Sequence, residues 1–444
     1  MIKDRLISKL IRYSSFFRVY ADCYHEGRRI RGKGERKPQE NNNSLSGIGS
    51  LKDLVHYAEE HGSAIYGKDL MLGYTEDPDN TILLVSHEMS LSGAPFAVLN
   101  LALVLKKNGW QTVIVSPEDG CIGAYAADHG IPSMYIPNLY RAGFISAIKD
   151  LFAIVMANTI VSAPVVKELD GTDTPVMWWI HETATSYTME TAKELPRKLS
   201  DNVHVCCAGT YARSLLASRF PGYSIENLPC SVKDTTPDPS QTDTRLGVLS
   251  EERRTFICVG LIERRKGQDI LLEAIDMLPD NVRENSLFVI VGKVGDSEIK
   301  KQIVMMQRKY PDRILFYEGL GHDELFEMYR ETDFLICASR DETGPLVVAE
   351  ALSQEKPCIS SRNTGNAEVI KHYGAGFTYA NNDPRRLSRL IECACQMPCD
   401  EYLRMSANAR KAFEEEFSEE EFGKKLTEIM KKITGEEKYK DSIG

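Results

Sequence analysis

Two glutamates in the second half of the chain have the type and spacing to act at one site. Glu342 lies in the loop after the apolar run 333–338, and Glu350 lies about two helical turns further on, beyond Gly344 and Pro345. The pattern predicts a strand, a loop and a helix. Carboxylates accept hydrogen bonds from hydroxyls, and the free N–H groups of a helix N-terminus bind anions. The stretch therefore suits a ligand that carries both hydroxyls and phosphates. A structural role is the alternative, because a carboxylate near a helix N-terminus often only stabilises the helix.

A basic loop opens the second α/β series of the chain. The apolar run 255–260 predicts a strand, and Arg264, Arg265 and Lys266 follow it before a helix that opens at Gly267. Guanidinium and ammonium groups beside a helix N-terminus form a cradle for a diphosphate. The alternative is a basic loop that only faces solvent.

One histidine stands where a ligand crevice is expected. His181 follows the apolar run 176–180 and precedes Glu182. Ligands of open α/β sheets bind at the carboxyl ends of the strands, where an imidazole can donate or accept a hydrogen bond. A structural histidine is the alternative. The sequence leaves open whether Glu182 orients the ring or faces solvent.

Strand-length apolar runs alternate with helical runs in two series, which predicts two α/β domains with mostly parallel sheets covered on both faces. In the first series, a loop with Gly93 leads into a helix over residues 96–107. We expect one further helix over residues 51–66. The predicted strands are 81–86, 112–116, 132–136, 153–156, 176–180 and 203–206, then 255–260, 287–291, 314–317, 334–338 and 357–360.

The order and spacing of these features resemble family 4 retaining glycosyltransferases of the GT-B fold, over roughly residues 81–433. The resemblance rests on the two glutamates with seven residues between them, on the Gly-Pro-Leu after the first, and on the Lys-Gly of the basic loop. It implies two Rossmann-like, doubly wound domains that face a central cleft. It also implies that a terminal helix, expected over residues 418–433, crosses back onto the first domain.

The resemblance also implies a role for individual residues. Glu342 and His181 would be the catalytic residues and would contact the donor sugar. Glu350 would contact the ribose, and Lys266 the diphosphate. The further positions that we expect at the donor are Gly93, Arg264, Arg265, Leu320, Gly344, Pro345 and Leu346.

One residue departs from the family pattern. Many members carry Arg directly after the glycine that ends the first strand of the second domain, whereas this chain has Leu261. Arg264 or Arg265 could replace that contact, because a guanidinium matches phosphate oxygens well. No convincing Asp-X-Asp motif accompanies the donor loops, so we expect neither a metal nor another cofactor.

The function that the resemblance implies is transfer of a sugar from a UDP- or GDP-sugar to a carbohydrate acceptor, with retention of configuration, in cell-surface polysaccharide or glycolipid biosynthesis. The basic start of the chain favours a lipid-linked glycan as the acceptor. One alternative is a catalytically silent partner or chaperone subunit on the same fold. Another is a nucleotide-sugar epimerase or a phosphorylase.

Composition limits the other classes of function. The chain has 444 residues, of which 42% are apolar and 27% charged, and a net charge of −10, which argues against a general nucleic-acid binder. Its eleven cysteines show no metal-binding or disulfide spacing, so we expect reduced, mostly buried thiols. No secretion signal and no apolar run of about eighteen residues is evident, which predicts a cytoplasmic protein.

The first 37 residues contrast with the acidic remainder. They hold eleven Lys or Arg against four Asp or Glu, and residues 2–20 show a basic amphipathic helical pattern. Such a helix could lie on the inner face of an anionic membrane or pack on the protein itself. We therefore divide the chain into an extension (1–80), a first domain (81–233), a linker (234–250), a second domain (251–415) and a C-terminal helix (416–444).

Overall fold

Two sheets organise the protein, seen in a computed structural model that describes residues 45, 47–75, 77–90, 92–183, 186, 195–235 and 253–435. The first sheet has eight strands in the order β1-β4-β3-β2-β5-β6-β7-β8, and only the pair β1 and β4 is antiparallel. Its strands are β1 (Ala64–Tyr66), β2 (Thr81–Val85), β3 (Gln111–Ser116), β4 (Ser133–Tyr135), β5 (Ile154–Asn158), β6 (Val176–Ile180), β7 (Val203–Cys207) and β8 (Ile225–Asn227).

The second sheet is parallel throughout. Its six strands follow the order β11-β10-β9-β12-β13-β14, so that β9 and β12 are neighbours although two strands separate them in sequence. The strands are β9 (Arg254–Val259), β10 (Ser286–Val291), β11 (Ile314–Tyr317), β12 (Phe334–Cys337), β13 (Cys358–Ser361) and β14 (Gly376–Tyr379).

Helices cover both faces of each sheet, which is why most strands are buried apolar runs without alternation. Short 3₁₀ turns lie at Pro78–Asn80, Lys149–Leu151, Ile160–Ser162 and Arg264–Lys266. The described helices are α1 (Leu51–Glu60), α2 (Lys68–Leu72), α3 (Gly93–Lys107), α4 (Cys121–Asp128), α5 (Phe144–Ile148), α6 (Ala163–Leu169), α7 (Thr210–Arg219), α8 (Gln268–Asp276), α9 (Asp280–Glu284), α10 (Ser297–Lys309), α11 (His322–Arg330), α12 (Leu346–Ser353), α13 (Ala367–Tyr373), α14 (Pro384–Gln396), α15 (Cys399–Glu416) and α16 (Glu419–Thr434).

The first domain begins earlier in the chain than the expected boundary at residue 81. Leu54 and Val55 of α1 are buried in the same core as Val85 and Val113, and β1 pairs with β4 at the edge of the sheet. The single helix expected over residues 51–66 is in fact α1 followed by β1. These residues are therefore part of the domain, because their apolar side chains complete its core.

The last described helix joins the two domains. Phe422, Leu426 and Ile429 of α16 are buried in a core of the first domain, and the ring of Phe422 lies 5.9 Å from that of Trp179 between centroids. Helix α15, directly before it, packs on the second domain. The expected return of the C-terminal helix to the first domain is thus present.

Three expectations lie wholly or largely outside the described residues, namely the basic helix over 2–20, the extension up to residue 44 and most of the linker over 234–250. Among the helices that the structure does describe, none combines the length and the apolar character needed to cross a membrane. The ten described cysteines are free, and six of them are buried.

Candidate active site

Two neighbouring strands bring a cation and a carboxylate together. Lys266 follows β9 and Glu342 follows β12, and because these strands are parallel neighbours their carboxyl ends lie side by side. The ammonium group of Lys266 donates to Oε1 of Glu342. Ser339 Oγ donates to the other carboxylate oxygen at 2.6 Å. A guanidinium nitrogen of Arg265 lies 4.0 Å from Oε1.

A glycine permits this approach. Gly267 has a φ of +72°, in the left-handed region that side chains disfavour, and it ends the 3₁₀ turn that carries Lys266. A Cβ atom at this position would lie 2.1 Å from the carbonyl oxygen of Ala338. Only glycine therefore lets the basic loop lie directly on the end of β12.

Arg340 fixes the two loops to each other. Its guanidinium binds both carboxylate oxygens of Asp269, at 2.7 and 2.8 Å, and its Nε donates to Asn382 at 2.7 Å. Its backbone N–H donates to the carbonyl oxygen of Arg265 at 2.7 Å. Arg340 and Asp269 were not among the predicted site residues, because their pairing depends on strand order and no local motif marks it.

Charge compensation decides the protonation of Glu342. Burial alone would raise the pKa of Glu342, but Lys266, Ser339 and Arg265 together hold it below its usual value. Glu342 is therefore a carboxylate at neutral pH. Its charge is matched by cations that would themselves attract phosphates.

Glu350 lies apart from this pair, on α12. Its Oε2 accepts a hydrogen bond from the hydroxyl of Tyr329 at 2.9 Å, and Tyr329 is completely buried. Burial raises the pKa of Glu350 to about 6, and the Tyr329 hydrogen bond opposes that shift only in part. In the described part of the chain, no cation lowers the pKa of Glu350 in the way that Lys266 and Arg265 lower that of Glu342.

His181 lies at the carboxyl end of β6 in the first domain. Burial, followed by the nearby His87, lowers the pKa of His181 to about 3, so the ring is neutral at physiological pH. Nδ1 lies 3.8 Å from the sulfur of Cys230, and Nε2 is buried and has no hydrogen-bond partner among the residues that the structure describes. A neutral imidazole with an unused nitrogen can bind a hydroxyl as donor or acceptor.

Glu182 binds backbone groups. It accepts the N–H of His181 at 3.0 Å and is also hydrogen-bonded by the N–H of Ile160. Burial raises the pKa of Glu182 to about 7, and these backbone donors offset part of that shift. The protonated form of this carboxyl is therefore populated at a higher pH than in an exposed glutamate, and no local sequence pattern predicts this.

The two domains meet beside Glu342. Thr343 Oγ1 donates to the carbonyl oxygen of His181, and Thr183 Oγ1 donates to Asp341 Oδ2 at 2.6 Å. His181 and Glu342 thus lie on opposite sides of one interdomain contact. Asp341 and Thr183 were missed as site residues, because 158 positions separate them in the chain.

The remaining predicted donor positions lie at different places in the two domains. Gly344, Pro345 and Leu346 continue the loop into α12, and Leu346 packs against the cores of both domains. Leu320 follows β11, which stands three strands from β12, so it does not contact Glu342. Gly93 opens α3 in the first domain.

The basic loop places its two arginines differently. Arg264 is exposed, and its carbonyl oxygen accepts from Arg340. Arg265 is held by Glu263 at 2.8 Å and lies toward Glu342. Leu261 stands at the position where many family members carry an arginine, and it is 42% exposed. Within the described ranges, no group of three or more His, Cys, Asp or Glu side chains could hold a metal ion.

Comparison with known protein families agrees with this architecture on both domains. The family model described as "Glycosyl-transferase family 4" matches residues 79–207, and that described as "Glycosyl transferases group 1" matches residues 241–412. The chain belongs to the family 4 glycosyltransferases. Together the two models match about two thirds of it.

Individual members of the glycosyltransferase family are similar at low identity. A GDP-mannose-dependent alpha-(1-6)-phosphatidylinositol monomannoside mannosyltransferase of Mycobacterium tuberculosis is 28% identical over 233 residues, which are 50% of this chain and 59% of that enzyme. The putative glycosyltransferase YtcC of Bacillus subtilis is 25% identical over 191 residues, or 41% of this chain and 46% of that protein. The alignments thus span about half the length of these relatives.

A solved structure shows the same GT-B fold. HepE of Anabaena, crystallised in complex with UDP and glucose, has a TM-score of 0.64 and 16% sequence identity, and the match covers 79% of this chain and 99% of HepE. At 16% identity, this similarity establishes only that the two proteins share a fold. The expected pair of doubly wound domains is confirmed.

Proposed function

We propose that this protein transfers a sugar from a UDP- or GDP-sugar to a carbohydrate or lipid-linked glycan acceptor, with retention of the anomeric configuration. The observation that carries the proposal is the pair of Lys266 and Glu342 at the carboxyl ends of adjacent strands, across the domain boundary from His181. A cation that can bind a diphosphate is thus in direct contact with a carboxylate that can bind sugar hydroxyls.

The donor would lie along the edge of the second sheet. Lys266 and Arg265 would bind the diphosphate, and Glu342 would accept hydrogen bonds from the sugar hydroxyls. Glu350, held by Tyr329, would accept the ribose hydroxyls. The base would lie toward Leu320, and a separation of three strands, about 14 Å, leaves room for the nucleoside between them.

The reaction would exchange one bond at the anomeric carbon for another on the same face. The bond to the donor phosphate oxygen breaks, the acceptor oxygen forms the new bond, and the acceptor proton passes to the leaving phosphate oxygen. His181, neutral because of its burial, would orient the sugar through a hydroxyl and would not act as a cationic acid. The charge that develops on the diphosphate would be stabilised by Lys266 and Arg265, without a metal ion.

A panel of nucleotides tests the first half of the proposal. UDP, GDP and ADP, and the sugars UDP-glucose and GDP-mannose, would each be added to the full chain, and the melting temperature would be measured. Binding to the native state raises the melting temperature in proportion to RT ln(1 + [L]/Kd). Lys266→Ala should abolish the shift, whereas Lys300→Ala, in the same domain on α10, should leave it intact. Absence of a shift with every nucleotide would contradict the proposal.

The anomeric outcome is tested on the product. NMR of the linkage formed from a donor of known anomer should show the same configuration in the product. A mixture of sugar acceptors and lipid-linked saccharides would be offered, since these are the proposed acceptors. An inverted linkage would rule out the retaining mechanism while leaving donor binding intact.

A second candidate is a catalytically silent subunit that assists an active partner. The exposed Leu261, where many family members carry an arginine, favours it. Nucleotide binding by the purified chain without transfer, and transfer only after a partner is added, would support this candidate.

Membrane contact is a separate part of the proposal. We propose that residues 1–37, with their excess of basic side chains, bring the protein to an anionic membrane surface, where lipid-linked acceptors are found. Deletion of these residues should lower binding to vesicles that contain phosphatidylglycerol and leave binding to neutral vesicles unchanged. Equal binding of the full and the shortened chain to the anionic vesicles would contradict the proposed membrane contact.

A further inference from the structure

The loop that carries Glu342 is bonded to the first domain on both sides of that residue. Asp341 precedes Glu342 and accepts the hydroxyl of Thr183 at 2.6 Å. Thr343 follows Glu342 and donates to the carbonyl oxygen of His181. The position of Glu342 relative to His181 therefore depends on the contact between the domains.

Asp341 receives donors from two separate elements of the first domain. Besides Thr183, which follows β6, the hydroxyl of Tyr211 in the first turn of α7 hydrogen-bonds to the same carboxylate. Asp341 is only 4% exposed. A buried carboxylate that loses its donors is costly, so separation of the domains at this point is unfavourable. We call Asp341, Thr183 and Tyr211 the Asp341 contact.

The backbones of the two domains also touch beside the Asp341 contact. A Cβ atom at Gly209 would lie 2.4 Å from the carbonyl oxygen of Thr343, and one at Gly344 would lie 2.7 Å from that of Ala208. No side chain fits between these backbones. The cleft can therefore close fully at this point only because both positions are glycine.

We propose that the Asp341 contact is a positioning device, which sets Glu342 against His181 and the donor sugar when the cleft closes. The inference rests on the proposed transferase function. Lys266 and Glu350, which would bind the nucleotide, belong to the second domain alone. Loss of the contact should therefore reduce turnover and leave nucleotide affinity nearly unchanged.

Two conservative variants test the kinetic part. Thr183→Val removes the donor at constant shape, and Asp341→Asn removes the charge. Release of UDP from UDP-glucose and of GDP from GDP-mannose would be measured with the full chain, beside the affinity for UDP and GDP by calorimetry. Each variant should lower kcat about tenfold, as expected for a hydrogen bond to a charged group. The double variant should be little worse than either single one.

The control is Thr172→Val, whose hydroxyl bonds to Leu169 within the first domain. It should retain the wild-type kcat. Unchanged kcat in both test variants would overturn the proposal, as would a loss of nucleotide affinity equal to the loss of kcat.

A steric variant tests closure without any assay of activity. Gly209→Ala should force the domains apart, because the added Cβ meets a backbone oxygen, whereas Gly222→Ala adds its Cβ in open space in the same domain. Small-angle X-ray scattering should give a larger radius of gyration for Gly209→Ala alone. Equal radii for the two variants would refute the closure contact even if nucleotides bind. Failure of all nucleotides to bind would instead refute the proposed function.

Discussion

The hydroxyl of Tyr329, a residue in the core of the second domain, donates to Oε2 of Glu350 at 2.9 Å. Tyr329 lies on α11 and Glu350 on α12, so the hydrogen bond joins two helices on the same face of the sheet. It leaves Oε1 of Glu350 with acceptor capacity for a ligand hydroxyl. The carboxylate is thus oriented by a buried tyrosine, and its burial makes the ionised form costly to the stability of the fold.

That cost leads to a first prediction, on Glu350→Gln. The pKa of Glu350 is raised from its ordinary value to about 6, so the folded protein gains stability as the pH falls from about 6 to 4.5, and the ionised form is destabilising at pH 7. The variant should be more stable at pH 7 by about 2 kcal/mol and should bind UDP or GDP more weakly. Urea unfolding and calorimetry check the two effects.

The exposed Glu401 of α15 supplies the matched control for Glu350. Glu401→Gln should change neither stability nor nucleotide affinity. A Glu350→Gln protein that is less stable than the wild type at pH 7 would contradict the assigned cost of burial.

A second prediction separates the structural role of Lys266 from its role toward the diphosphate. Lys266→Glu should place two carboxylates in contact and lower the melting temperature, because like charges in a partly buried site repel. The exchange Lys266→Glu with Glu342→Lys should restore much of the stability but not the affinity for UDP or GDP. Calorimetry of the exchanged protein with these nucleotides decides the point. Full recovery of affinity would exclude the assigned role of Lys266.

Arg340 gives a third prediction. Lysine cannot form the paired contact with both oxygens of Asp269, so Arg340→Lys should destabilise the protein by about 2 kcal/mol and weaken nucleotide binding through the basic loop. Arg404→Lys is the comparison, because the ion pair of Arg404 with Asp400 is exposed and contributes little to stability. Similar effects of the two substitutions on stability and on nucleotide affinity would contradict the importance of the paired contact between Arg340 and Asp269.

Metal independence is the fourth prediction. Lys266 and Arg265 lie where the donor diphosphate is proposed to bind, so release of UDP from UDP-glucose or of GDP from GDP-mannose should persist in EDTA. The rate should be compared with and without added Mg²⁺ or Mn²⁺. Loss of the reaction in EDTA, restored by either ion, would show that the cations of the basic loop are insufficient.

The sequence predicted the strands with the strongest apolar runs to within two residues at either end, and it placed Lys266 and Glu342 in the loops after two of them. It missed β1, β8 and β14, which are short or carry polar residues and lie at the edges of the sheets. It also missed Arg340, Asp341 and Thr183, since their partners come from other loops or from the other domain. Local patterns locate strand ends, whereas contacts between loops depend on strand order and on domain closure.

The fifth prediction concerns two neighbouring groups whose contributions to the stability of the protein change with pH in opposite directions. The pKa of His181 is lowered to about 3, so the unfolded chain binds more protons below pH 6.5 and stability falls as the pH falls. The pKa of Glu182 is raised to about 7, so the folded state takes up the proton first and stability rises as the pH falls from 7 to 4.5. Between pH 7 and 5, the expected changes in the free energy of unfolding are about −2 kcal/mol from His181 and about +2 kcal/mol from Glu182.

Single substitutions should expose each change, because the two nearly cancel in the wild type. His181→Gln should become more stable relative to the wild type as the pH falls from 7 to 5, and Glu182→Gln should become less stable relative to it. His56→Gln, at a histidine whose side chain is 73% exposed, is the control and should follow the wild type. Urea unfolding at both pH values measures the differences. Parallel pH profiles for all four proteins would mean that neither buried group contributes through its protonation.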